Sequence, residues 1–285
     1  MSEASPRAVK TSRLKQSPIK AKAYRAAGLT SAFAALGMGL AFTPLASVVP
    51  AYAAYLLLRR AKKHTAVGGD TVLSQDTRPP VLYLRSFQDE TSQQAVLHRF
   101  TRAALPERTW LALGVPNNAV QEQDALGHVF RKVGPYVALG KPGEELPELG
   151  SSKMYVPNAA WQERVRALIG TSRLIVFQAG RTEGLRWELN ELVRTVNPVM
   201  LLVLLPVTTD DYASFVQWAN LVLPRPLPSE YPSSRIVVFD RQWTPAWLPP
   251  RQSLTESLAP FFKQNGLTVT ETFWEKTLEH NGLRW

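Results

Sequence analysis

RLIVFQAGRTEGLRWELNELV, residues Arg173 to Val193, is the stretch that decides how the chain folds. Its first part, RLIVFQ, is a near-continuous apolar run of the kind that forms a strand buried on both faces. Gly180 closes that run, and from Thr182 the period changes: Leu185, Leu189, Leu192 and Val196 recur at helical spacing. A buried strand emptying into an amphipathic helix is half of a βαβ unit. Such a unit sets the first turns of the helix, with Trp187, Glu188 and Glu191, at the carboxyl edge of a sheet. Either the two carboxylates do chemistry there, or they form a solvated helix face that the helix dipole favours.

Outward from this unit the alternation repeats. Strand-like runs at Pro80–Leu84, Pro135–Leu139, Arg173–Gln178, Val199–Pro206 and Arg235–Asp240 are separated by helical patterns at Val120–Val133, Asn158–Ile169, Asp210–Leu221 and Ser253–Gln264. A further helical piece is expected around Gln93 to Ala104. The order predicts a doubly wound α/β domain over residues 79–266 with a five-stranded parallel sheet, followed by an unassigned tail, 267–285. Ligands of such folds sit beyond the carboxyl ends of the strands, which singles out the loops after Leu84, Leu139 and Gln178.

The charge is concentrated at one end. Residues 1–64 hold 11 of the 33 basic residues and one of the 23 acidic ones, so the remainder, with 22 of each, is neutral. A neutral body argues against nucleic acid as a partner, because phosphate neutralisation needs Lys and Arg gathered on the binding face. The absence of cysteine excludes disulfides and thiolate chemistry. His64, His98, His128 and His280 are scattered without metal-ligand spacing, so no metal site is expected. Gly134–Lys141 (GPYVALGK) departs from a phosphate loop in its glycine spacing and in Pro142. No GxGxxG opens a helix, and no GxSxG elbow occurs.

After a basic tail, residues 1–25, no charged residue occurs from Ala26 to Leu58. Basic clusters flank that segment, KAKAYR before it and RRAKKH after it, and prolines at Pro44 and Pro50 interrupt it. The pattern predicts a transmembrane hairpin over 26–58, roughly Ala26–Phe42 and Leu45–Leu58, with both flanks on the cytosolic side of the inner membrane. One longer kinked span and a cleaved signal peptide are the alternatives. Residues 59–78 read as a basic, then Gly-rich and polar, linker.

Three loops remain: LRSFQDE (Leu84–Glu90), GKPGEELPELG (Gly140–Gly150) and TEGLRWELNEL (Thr182–Leu192). With their order along the chain they make residues 79–266 resemble a divergent TIR-like domain. The matching positions are Ser86, Phe87 and Asp89 in the first loop, Pro142-Gly143 in the second, and Trp187 with Glu191 four residues on in the third. A looser resemblance to nucleoside deoxyribosyltransferase-like proteins points to Glu188. The resemblance implies cleavage of an N-glycosidic bond in NAD or a related nucleotide, with no cofactor beyond that substrate, in stress or antiphage signalling. It also implies self-association through the domain. Glu188 is the first candidate catalytic acid and Glu191 the alternate. Arg85, Ser86, Phe87, Asp89, Gly140, Pro142, Gly143 and Trp187 are the candidate substrate-binding residues, with Phe87 or Trp187 stacking on a ring and Arg85 meeting phosphate. The competing expectation is a noncatalytic, membrane-tethered interaction or nucleotide-sensing module of similar fold. In that case Trp187 and Phe87 are packing residues and Pro142-Gly143 is a turn.

Overall fold

A computed structural model describes residues 15–41, 44–86, 119–140, 150–206, 208–251 and 253–269. The elements are α1 (Pro18–Ala41), α2 (Val48–His64), α3 (Gly69–Gln75), β1 (Val81–Leu84), α4 (Ala119–Val133), β2 (Tyr136–Leu139), β3 (Ser152–Met154) and α5 (Trp161–Thr171). They continue with β4 (Leu174–Gln178), α6 (Glu183–Thr195), β5 (Leu201–Leu204), α7 (Thr209–Ala219), β6 (Ile236–Phe239), β7 (Pro245–Trp247) and α8 (Leu254–Gln264).

The strands form one sheet in the order β3-β2-β1-β4-β5-β6-β7. Alternate residues of each strand feed two separate cores. Leu82, Leu84, Ile175 and Phe177 pack under α5, α6 and α7, through residues such as Val165, Leu189 and Phe215. Val81, Tyr83, Leu174 and Val176 pack under α4 and α8, through Phe130, Leu258 and Phe261. Because both faces are covered, β1, β2, β4 and β5 are buried at every position, which is why they read as unbroken apolar runs.

The sheet corrects the five-stranded parallel expectation, since it is mixed and has seven strands. β3, β2, β1, β4 and β5 run parallel. The strand expected as fifth, at Arg235–Asp240, is antiparallel to β5, and β7 is antiparallel to it in turn. The cause lies in residues 220–235, which carry Pro224, Pro226, Pro228 and Pro232 and hold neither helix nor strand. This segment returns to the carboxyl edge before β6 begins. There the Tyr231 hydroxyl donates to the Pro206 carbonyl at 2.7 Å, and the Arg235 guanidinium donates to the Leu205 carbonyl from Nε and Nη2, at 2.9 and 2.7 Å.

The transmembrane hairpin expected over 26–58 is also corrected. Two packed helices form, but among the described residues no helix is long and apolar enough to cross a membrane. The uncharged stretch is divided by a 3-10 turn at Pro44–Ser47, α1 opens with Lys20, Lys22 and Arg25 already inside it, and α2 meets Arg59 after Leu58. Neither arm reaches the roughly 20 apolar residues that one crossing needs. The arms meet through small groups: Ala21, Gly28 and Ala35 of α1 and Ala54 and Ala61 of α2 are buried, and a Cβ on Gly28 would lie 2.7 Å from Leu58 Cγ. Beyond α2, α3 lies against the β3 edge, where Gly69 sits so close that a Cβ would meet Met154 Cγ at 2.5 Å. Asp70 pairs there with Arg164 of α5.

Candidate functional site

The parallel block has a switch point. From β1 the chain moves outward to β2 and β3, then crosses back over β1 to place β4 on its other side. The segments leaving β1 and β4 therefore diverge, and the crevice between their carboxyl ends is where open α/β sheets accept ligands. Arg85 and Ser86 follow β1 and are buried, each 4% exposed, while Gln178 closes β4 and is buried as well. The Tyr83 hydroxyl donates to Gln178 Oε1 across the two strands.

Helix α6 begins beside this crevice. Thr182 caps it by accepting from the Leu185 amide at 3.4 Å, and Glu183 lies in the first turn, where an acid is favoured. The sheet-facing stripe is Leu185, Leu189 and Leu192, all essentially inaccessible. Glu188 flanks this stripe and is 8% exposed; its Oε2 is buried and has no hydrogen-bond partner among the described residues. Burial pushes its carboxyl up to about 8. A carboxylate in an apolar setting takes up a proton because the neutral form avoids the desolvation cost. Glu188 is therefore largely protonated at neutral pH.

Glu191, one turn on, has a different environment. Its carboxylate meets Arg166 Nε of α5 at 3.2 Å and Arg194 Nη1 at 3.9 Å. It lines a cavity of about 490 Å³ together with Arg166, Ile175, Asn197 and Met200. Ile175 lies near the start of β4 and Met200 directly precedes β5, so this cavity opens at the amino edge of the sheet, away from the switch point. Glu191 thus lines a cavity at the amino edge, whereas Glu188, midway along α6, is buried beside the sheet-facing stripe.

Trp187 and Gly140 have packing roles. Trp187 packs edge-on against Trp161 with ring centroids 4.8 Å apart, and the Arg166 guanidinium lies 5.0 Å from its ring centre. That makes it part of the α5–α6 contact. Gly140 ends β2, where its amide donates to the Met154 carbonyl at 2.8 Å; a Cβ there would fall 2.3 Å from the Tyr155 ring. Its lack of a side chain is what lets Tyr155 lie over the end of β2. Arg85 and Ser86 leave β1 at the switch point, and Glu188 and Glu191 both lie on α6, the helix that leaves β4 there. Phe87, Asp89, Pro142 and Gly143 lie outside the described residues.

Sequence reasoning passed over Tyr83, Gln178 and Arg166. A polar residue ending an otherwise apolar strand, as Gln178 does in RLIVFQ, is a legible signal of a strand tip turned to a crevice. The position of Arg166, on a different helix from both groups it serves, leaves no such signal. No group of His, Cys, Asp and Glu suited to hold a metal ion occurs among the described residues. No protein-family model matches the chain, and no curated protein or solved structure matches it.

Proposed function

We propose that the crevice between β1 and β4 accepts NAD or a related nucleotide and that Glu188 promotes cleavage of its N-glycosidic bond. The observation that carries this reading is a neutral, buried carboxyl, with one oxygen unpartnered among the described residues, on the helix that leaves the switch point. Structural acids in a protein interior are ordinarily paired, so an unpaired one is a candidate functional group. The resemblance of three loops to TIR-like domains, and of Glu188 itself to the acid of deoxyribosyltransferase-like proteins, supports the same chemistry.

The physics is direct. A nicotinamide riboside linkage is cationic, and its cleavage spreads positive charge over C1′ and the ring oxygen of the ribose. A cation brought close to Glu188 reverses the balance that keeps it protonated, so the carboxyl ionises on binding and stabilises the oxocarbenium-like state electrostatically. The C1′–N bond breaks with its electron pair leaving on neutral nicotinamide, and water completes the ribose with release of a proton. Arg85 is the candidate for the phosphates.

A second reading has its own observation. Glu188 is only 8% exposed, which leaves little surface for a reacting ribose and suits a noncatalytic module that senses a nucleotide. Hydrolysis of NAD by the full chain at high protein concentration, with Glu188→Gln and Glu191→Gln in parallel, separates the two. Turnover lost in Glu188→Gln alone supports the enzyme. Nucleotide binding without turnover in any variant supports the module.

A further inference from the structure

The helical hairpin is built the opposite way round from the rest of the chain. Its interior holds alanine and glycine, while its large apolar side chains face outward. Leu29, Phe33, Leu36 and Leu40 form an i, i+4, i+7, i+11 stripe on α1, and Val49 and Leu56 extend the apolar surface onto α2. Phe33 is 73% exposed, Leu40 81% and Val49 77%. A contiguous apolar surface of this kind marks a contact with protein or lipid. The charge selects between them. Lys15, Lys20, Lys22, Arg25, Arg59, Arg60, Lys62 and Lys63 all fall at the open end of the hairpin, because the chain enters and leaves there, and no acid occurs from Lys15 to His64. The end formed by the turn carries no charge. An apolar tip on a basic base complements an anionic bilayer, with acyl chains for the tip and acidic headgroups for the base. Neither uncharged arm spans a bilayer: Ala26–Ala41 rises about 24 Å and Val48–Leu58 about 17 Å, against a hydrocarbon core of roughly 30 Å.

We propose that α1 and α2 form a wedge that enters one leaflet of an anionic membrane tip first, seats its basic base among the headgroups and does not cross. The proposal is independent of the chemistry at Glu188. The full chain is floated with vesicles of phosphatidylcholine containing about one-third phosphatidylglycerol and, separately, with phosphatidylcholine alone. It floats with the anionic vesicles, less so as salt is raised, and the bound fraction falls at least about tenfold in the double variant Phe33→Asp, Leu40→Asp. Both side chains are already exposed, so that variant keeps the wild-type melting temperature. Because the chain has no cysteine, Ala46→Cys places a single thiol at the tip. On bound protein this thiol resists a membrane-impermeant maleimide supplied from outside or trapped in the lumen. Reaction from the lumen means that the hairpin crosses, and reaction from outside means that the tip is not inserted. Either result overturns the wedge. So does a full chain that stays unbound to both vesicle types, or a double variant that splits a dimer while floating as before, which assigns the face to a second copy.

Discussion

Helix α6 carries two acids one turn apart, and their neighbours treat them differently. Glu191 is an ordinary structural carboxylate held by Arg166 of the neighbouring helix, whose guanidinium also lies over the Trp187 ring. Glu188 is buried to the same degree but has no such ion pair among the described residues, and its proton is held up to about 8. The difference comes from neighbours rather than depth. Both residues are 8% exposed, and among the described residues a basic side chain reaches only Glu191. Burial without a counter-charge favours the neutral form of an acid, whereas an arginine partner commits a buried carboxyl group to holding two helices together.

The comparison breaks most visibly in turnover. Glu188→Gln keeps the shape and removes the ionisable group, and is expected to lower NAD hydrolysis by at least about 100-fold. Glu191→Gln is expected to leave it within about fivefold, and steady-state kinetics on the full chain read both. Equal losses in the two variants would dissolve the distinction. Next in size is the pH dependence of stability. A carboxyl whose folded pKa lies above its usual value of 4.5 binds its proton more tightly in the native state, so stability falls as pH rises from about 4.5 towards 8 and stays low above it. Each pH unit in that window is worth about 1.4 kcal/mol. Denaturant melts of Glu188→Gln and wild type at pH 5 and pH 9 should therefore show the variant gaining, at the higher pH, on the order of 4 kcal/mol.

Smaller effects sharpen the structural half of the comparison. Gly140→Ala forces a methyl into the Tyr155 ring and should cost about 1 to 3 kcal/mol in a urea melt; no loss would mean that the end of β2 is looser than its contacts indicate. Glu191→Gln removes an ion pair whose arginine is half exposed, and should cost only about 0.5 to 1 kcal/mol, diminishing as salt is raised.

Much of this architecture is legible in residue order. LIVF, LLVL and IVVF are buried on both faces and have no other use, and Leu185, Leu189 and Leu192 declare the face of α6. The direction of β6 is not legible, because it depends on where a proline-rich segment delivers the chain rather than on anything within IVVF. β3 and β7 are also hidden. Ser152–Met154 carries a lysine and Pro245–Trp247 begins with proline, and each is only three residues long at an edge of the sheet. The uncharged run from Ala26 to Leu58 is legible as apolar but not as divided, since the break at Pro44–Ser47 sets the length of each arm. At the site, periodicity places Glu188 and Glu191 equally beside the buried stripe. It cannot show which one an arginine reaches, because Arg166 sits on another helix 25 positions upstream of Glu191.

The protonation of Glu188 at rest is read directly by a carbon-13 NMR titration of glutamate side-chain carboxyls, with Glu188→Gln identifying its resonance. A midpoint near 8, moving down when a nicotinamide-bearing nucleotide is added, is the predicted result. A midpoint at the ordinary 4.5, unchanged by the nucleotide, would contradict it and make Glu188 one more surface-like acid on a structural helix.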